Sequence, residues 1–384
     1  MNERGTAPVS HRPANVAEYE ALARQCMEPG AYDYYAGAAC DECTLTENRR
    51  AFERILLRPR VLVDASRVDA TTSVLGQPLS MPVMLAPTAL NKLAHPDGEL
   101  AAARAARAAG TIMVASTAAT YSVEEIAEAG ARGTLWFQVY ICKDRGFTRE
   151  LVRRADAAGC QALVLTADVP YLGRRERDVR NAFEIPPTMS LRNFEPAADG
   201  GVQGAWSPHA LSNTLPTGGP FDQHSRHLFD PSITWDVIDW LRSITSMPVL
   251  VKGILTPEDA RLAVERDVSG IIVSNHGGRQ LDSVEPTISA LPRVVDAVAG
   301  RTEVLMDGGV RRGTDVLKAL ALGARAVLVG RAYLWGLAVA GEAGVSDVLE
   351  LLRAELTLAM ALSGRPMVAA IDRSLVSAPA VHDS

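Results

Sequence analysis

The chain has 384 residues, of which 47% are hydrophobic and 22% charged, with a formal net charge of −6. This is the composition of a soluble globular enzyme, long enough for one large barrel or two medium domains. The acidic balance leaves no basic footprint for nucleic acid, and no apolar run approaches the ~18 residues of a membrane span.

Residues 1–14 are polar, contain Pro8 and Pro13, and read as a flexible N-terminal tail without a signal-peptide core. Asn15 is a good N-cap for a helix over 15–28, and 44–56 reads as a second helix. Between them Tyr32, Tyr34 and Tyr35 crowd one short stretch. They cannot all face one core, which leaves a hydroxyl available to a ligand. Cys40 and Cys43 are spaced like a zinc pair, but no second pair or histidine follows at ligand spacing. With Cys26, Cys142 and Cys160 they read as reduced thiols of a cytoplasmic protein, and no metal is expected. The C-terminal His-Asp-Ser is not a peroxisomal address.

From residue 81 short apolar runs alternate with amphipathic ones. Strands are predicted over 81–87, 111–116, 135–140, 162–168, 248–253, 270–275, 303–308 and 326–330. Helices are predicted over 98–110, 122–130, 144–159, 234–245, 257–267, 286–300 and 313–323, and the chain after the last strand is mostly helical. Ser122 and Glu125 have capping-box spacing, and Thr256 caps the helix that follows it. Eight β/α units are the count of a closed α/β fold, the (β/α)8 TIM barrel. An open doubly wound sheet is the alternative, but G-x-G-x-x-G is missing after the first strand. The pattern is interrupted after strand four by a Gly- and Pro-containing insertion over 188–233. Such a segment is either disordered or a lid, and its departure from the strand-end face favours a lid. One barrel domain over 15–373 is therefore expected, with a C-terminal tail over 374–384.

Barrel chemistry sits at the C-terminal ends of the strands. Strand six delivers Ser274, His276, Gly277, Gly278, Arg279 and Asp282. A histidine can take a proton near neutral pH, and an arginine three residues on can grip a carboxylate. Strands seven and eight end in Asp307-Gly308-Gly309-Val310-Arg311 and Gly330-Arg331, which resemble a barrel phosphate site, although the glycines also close tight turns. Ser116, Gln138, Thr166 and Lys252 form a hydrogen-bonding ring at the mouth. A flat cofactor with one phosphate, such as flavin mononucleotide, would use it. Lys252 would stabilise charge on the pyrimidine edge, or else close an ion pair at the barrel floor.

Taken together these motifs resemble the FMN-dependent 2-hydroxy-acid oxidases and dehydrogenases, over about Asn15 to Arg373. The carriers are Y-D-Y-Y-A-G-A at 32–38, L-A-P-T-A at 85–89, H-P-D-G-E at 95–99 and F-Q-V-Y at 137–140. They continue with T-A-D-V-P-Y-L-G-R-R at 166–175, L-V-K-G at 250–253, S-N-H-G-G-R-Q-L-D at 274–282 and D-G-G-V-R-R-G at 307–313. The resemblance implies a TIM barrel binding FMN, assembled as a homotetramer or homo-octamer. It implies His276 as base, held by Asp168, with Arg175 and Arg279 on the substrate carboxylate and Tyr34 and Tyr140 on the carboxylate or 2-hydroxyl. Pro87, Thr88 and Ala89 would line the reactive flavin edge. Ser116, Gln138, Thr166, Lys252 and Ser274 would hydrogen-bond the flavin and its ribityl chain. Asp307, Gly308, Gly309, Val310, Arg311, Gly330 and Arg331 would hold the ribityl tail and phosphate.

The implied reaction takes an L-2-hydroxy acid to the 2-oxo acid, with O2 as acceptor giving H2O2; Ala89 leans towards oxygen. A dehydrogenase passing electrons to a quinone is the alternative. Ala118 stands where glycolate oxidases carry a tryptophan, which opens the pocket to lactate, longer aliphatic or mandelate-type acids. Leu172 and Tyr171 would form the opposite wall. A nucleotide dehydrogenase with a cysteine nucleophile is disfavoured, since no cysteine follows Cys160. A scaffold that had lost its chemistry would lack the base or the clamp, and both are present.

Overall fold

Apolar runs bounded by turn residues form eight short strands: β1 Val83–Leu85, β2 Met113–Ser116, β3 Leu135–Val139, β4 Leu163–Thr166, β5 Val249–Ile254, β6 Gly270–Val273, β7 Glu303–Met306 and β8 Val327–Val329. They pair in parallel into a closed barrel. Closure is made by β8 on β1, through Val327↔Val83, Leu328↔Met84 and Val329↔Leu85. The structure, a computed structural model, describes residues 12–131, 133–195 and 228–377. Seven of the predicted strands contain an observed one, trimmed at its ends, and the remaining one, predicted over 248–253, runs one residue further, to Ile254.

Twelve helices are named here: α1 Val16–Cys26, α2 Pro29–Ala36, α3 Cys43–Arg54, α4 Gly98–Ala108, α5 Val123–Ala129, α6 Arg145–Ala157, α7 Glu176–Arg180, α8 Asp236–Ile244, α9 Pro257–Glu265, α10 Thr287–Val298, α11 Gly313–Ala321 and α12 Arg331–Leu362. The caps form as expected. Asn15 accepts from Glu18 N, the Ser122–Glu125 box closes in both directions, and Thr256 accepts from Asp259 N. α2 carries the tyrosines and is absent from the sequence reading, although Pro29 at its first turn is a helix-start signal. The chain after β8 is one long helix broken at Ala340 and Gly341.

Two cores follow from strands buried on both faces. One fills the space between strands and helices. The other fills the barrel itself with Met84, Val114, Trp136, Val164, Leu250, Ile272, Leu305 and Leu328. A hairpin, Thr72–Val74 with Gln77–Leu79, closes the end where the strands begin. Its Val74 and Leu79 join the interior, Gln77 accepts from Trp136 Nε1 at 2.8 Å, and Leu75 N donates to Glu303 at the start of β7. It lies ahead of the regular repeat, which is why periodicity did not reveal it.

The tail expected over 1–14 falls mainly on 1–11, which lie outside the described residues. Arg12 already pairs with Asp347 on α12. At the other end order runs beyond Arg373, since Leu56–Leu57 pairs with Val376–Ser377. Of the insertion over 188–233, residues 196–227 lie outside the described residues. Its two ends are anchored. Asn193 donates to the carbonyls of Ser116 and Thr117 at 3.2 Å each, and accepts from Val123 N. Phe229 bridges to Cys142 just beyond β3.

Trp136 is fully buried and is the largest side chain inside the barrel. Replacing Trp136 by Ala should lower unfolding stability by about 3–5 kcal/mol through the cavity it leaves. Urea titration should show this as a lower midpoint at an unchanged slope.

Candidate active site

Side chains alternate along a strand, so each interior residue predicts the next inward position two residues on. That step leads from Val114 to Ser116, Trp136 to Gln138, Val164 to Thr166, Leu250 to Lys252, Ile272 to Ser274 and Leu305 to Asp307. One layer of the barrel is hydrocarbon and the next is polar. Lys252 Nζ lies 3.1 Å from Asp307 Oδ2 and donates to Ser274 Oγ at 2.9 Å. The ion pair at the barrel floor is therefore present. Burial pulls the Lys252 ammonium down, but Asp307 and Asp168 outweigh it and hold its pKa above the ordinary value.

Beyond β6 the chain turns sharply. His276, Gly277 and Gly278 all have positive φ, at 57°, 65° and 80°. At Gly278 a Cβ would fall 2.7 Å from the backbone N of Leu45, so this position requires glycine. His276 N donates to Ser274 Oγ at 3.1 Å, and the ring Nδ1 lies 3.1 Å from Asp168 Oδ1. A carboxylate only accepts, so Nδ1 carries the hydrogen and Nε2 is left able to take a proton. Burial lowers the His276 pKa below its ordinary value, with Asp168 opposing that shift. Burial pushes Asp168 up, but His276 and Lys252 bring it below the usual carboxylate range. The pair is neutral imidazole and carboxylate at neutral pH, as a base requires.

Four arginines line the same cavity: Arg175, Arg279, Arg311 and Arg331. Arg279 is pushed down to about 10, by burial first and by Arg175 next. Arg331 lies well below its ordinary value, through burial and then through Arg279 and Arg311. Arg311 is lowered by burial as well. The one acid among the lining residues is Asp307, already paired with Lys252. Buried cations pressed together in this way call for anionic occupants. Arg279 donates to the carbonyls of Tyr34 and Gly37, and its guanidinium lies 4.8 Å from the Tyr34 ring. Arg331 is committed to the carbonyls of Tyr35, Gly277 and Gly37. What it offers a phosphate here is its charge rather than an open fork. Tyr140 is held far above its ordinary pKa by burial and Asp168, so its phenol stays neutral and can donate.

The cavity comprises about 1090 Å³ of space between its atoms, the solvent at its open mouth included. Every predicted site residue lines it except Gln138, Thr166, Asp168 and Ser274. Asp168 stands behind His276, and the other three are buried on the polar layer. Tyr171 does not form a wall: its side chain is exposed, and Leu172 alone faces inward. Phe229 lines the cavity as well, and sequence reasoning missed it. Its ring packs 4.6 Å from Tyr140, and nothing in the composition of the insertion marked it. Four buried atoms here lack a partner among the described residues: Gln138 Nε2, Asp168 Oδ2, Arg175 Nε and Asp307 Oδ1. No group of three or more His, Cys, Asp or Glu that could hold a metal is found among the described residues, and no described helix is long and apolar enough to cross a membrane.

A family model described as FMN-dependent dehydrogenase matches residues 23–378. Glycolate oxidase 1 of Zea mays is 55% identical over 359 residues, covering 94% of each chain. An L-lactate oxidase of Nostoc sp. is 53% identical, covering 95% of this chain and 98% of its own. A solved mandelate oxidase with (S)-4-hydroxymandelic acid superposes with a TM-score of 0.88 at 43% identity, over 95% of this chain and 98% of that one.

Since Asp168 supports the charged form of His276, Asp168→Asn should move the His276 titration to lower pH. An NMR pH titration of labelled histidine reads this directly, and an unchanged midpoint would remove Asp168 as its electrostatic partner.

Proposed function

The chain belongs to the family of FMN-dependent dehydrogenases, and from that premise we propose that it oxidises an L-2-hydroxy acid to the 2-oxo acid with O2 as acceptor, releasing H2O2. The observation that carries this is the contact of the His276 imidazole with the Asp168 carboxylate, in a cavity that Arg175 and Arg279 also line and whose one lining acid, Asp307, is already paired with Lys252. A base next to a carboxylate clamp is what chemistry on the carbon beside a carboxylate needs.

FMN fits the residues present. Gln138 Nε2 is a buried donor and Asp307 Oδ1 a buried acceptor, both without partners among the described residues, as a ring with carbonyl edges and a hydroxylated chain would require. Ser116, Gln138, Thr166, Lys252 and Ser274 would hold the ring and upper chain, with Pro87, Thr88 and Ala89 against its reactive edge. Asp307 to Arg311, Gly330 and Arg331 would hold the ribityl tail and phosphate. Bound there, FMN supplies the acceptor for two electrons.

The chain's own groups do the rest. Arg175 and Arg279 orient the carboxylate. Tyr140 and Tyr34 present hydroxyls to the carboxylate or 2-hydroxyl. His276 Nε2 receives one proton, and Asp168 stabilises the imidazolium that results. The small side chain of Ala118, with Leu172 and Phe229, leaves space for a substrate larger than glycolate. Lactate, a longer aliphatic acid or a mandelate-type acid would fill it. The same reading carries a homotetramer or homo-octamer and a cytoplasmic location; family likeness supports the first and five free cysteines the second.

Anaerobic mixing of the yellow protein with L-lactate, glycolate, L-2-hydroxyisocaproate and L-mandelate tests the reading. Bleaching by one acid and rapid recolouring in oxygen are expected, whereas slow recolouring would make the enzyme a dehydrogenase with another acceptor. His276→Gln should keep the flavin spectrum and slow bleaching by about a hundredfold or more. Because the His276 pKa is lowered, the acid limb of kcat/KM should lie below the ordinary histidine value, activity being lost as pH falls through it. Ala118→Trp should favour glycolate over larger acids by about tenfold or more.

A further inference from the structure

We propose that Gln280 is a positioning residue for the reaction: it clasps the loop after β4 to the loop after β6 and thereby sets the contact between Asp168 and His276. The two partners of the dyad come from different loops; Ala167 N donates to Lys252 O at 2.9 Å and ties the first to the end of β5, and Gln280 ties it directly to the loop that carries His276. Gln280 is buried and uses its whole amide across the gap. Its Nε2 donates to the carbonyl of Asp168 and to that of Tyr171, both at 2.8 Å. Its Oε1 accepts from Gly173 N at 3.2 Å. One side chain therefore holds three backbone groups of the segment that carries Asp168, Leu172 and Arg175. Gln280 itself follows Arg279 directly, so the base, its carboxylate and both arginines of the clamp meet at this join.

The approach of the two loops is close. At Gly173 a Cβ would fall 2.4 Å from the carbonyl oxygens of both Arg279 and Gln280. Without the Gln280 amide, two carbonyls and one N–H of this part-buried join lose that partner, and the hold between the loops weakens. The amide touches no reacting atom, so its effect on chemistry passes through Asp168.

The inference rests on the base role given to His276, and the experiment separates the two. Gln280→Met keeps the volume and removes all three hydrogen bonds; Gln280→Ala is a second variant, and flavin content and circular dichroism check that each folds. Flavin reduction by the best 2-hydroxy acid is measured in wild type, Gln280→Met, Asp168→Asn and the double variant. Gln280→Met should slow reduction on the order of tenfold to a hundredfold in the wild-type background. In the Asp168→Asn background the same change should slow it by about threefold or less, because its route is already gone. The His276 NMR titration gives a second readout. The groups that shift His276 are Asp168, Lys252 and Arg175, and among them Asp168 alone raises its pKa. Gln280→Met should thus move the midpoint to lower pH, in the same direction as Asp168→Asn. Equal losses in both backgrounds, or an unmoved midpoint, would overturn the positioning role. If the wild-type flavin is reduced by no 2-hydroxy acid, the proposed activity fails, and the titration still decides whether Gln280 sets the dyad.

Discussion

The period of two along a β-strand governs this molecule. Eight parallel strands place a layer of hydrocarbon inside the barrel, from Met84 round to Leu328, and the following inward positions fall at one common height. On six of the eight strands, β2 to β7, those positions are polar, so the site has a floor of hydrogen-bonding groups standing on a close-packed plug. Trp136 and the hairpin beneath it hold that plug from below. Side chains on such a floor have little room to move, which is the rigidity that positioned chemistry needs.

Charge is distributed over this floor unevenly. Lys252 and Asp307 neutralise one another and Arg175 has Asp178 at 3.8 Å, whereas Arg279, Arg311 and Arg331 crowd the walls above them. Beyond burial, Arg175 holds the pKa of Arg279 down, and Arg279 and Arg311 that of Arg331; an anion among them would oppose these shifts. A phosphate and a substrate carboxylate are anions of that kind. The site is thus built for two negative groups, and its base is kept neutral by the same burial that makes the arginines costly.

Much of this was legible from the residues. The apolar runs located all eight strands, and the glycine and arginine motifs at their ends located most of the cavity lining. What escaped has physical reasons. The hairpin at 72–79 lies ahead of the repeat and has no periodic partner in sequence. Phe229 sits in an insertion with no pattern, and its position depends on Leu228 and Asp230 bonding the chain at Ile141 and Lys143. Tyr171 and Leu172 are neighbours with opposite fates, because a loop, unlike a strand, gives no rule for which side chain turns inward. The engagement of Arg331 with backbone carbonyls was equally hidden, since it depends on where α2 passes over the barrel mouth.

The insertion after β4 stands on two feet, Asn193 on the end of β2 and Leu228–Asp230 on the end of β3. Both feet lie on the side of the mouth that carries Ala118 and Tyr140, away from the glycine turns after β7 and β8. Both attachment points are strand ends, so their spacing is set by the pairing of β2 with β3, Ser116 opposite Gln138, and not by anything in the insertion. The same register that lifts Ser116 and Gln138 to the floor of the site therefore also places Asn193 and Phe229 at its rim. On this side of the mouth the barrel determines its own doorway, whereas on the other side the glycine turns after β7 and β8 do so.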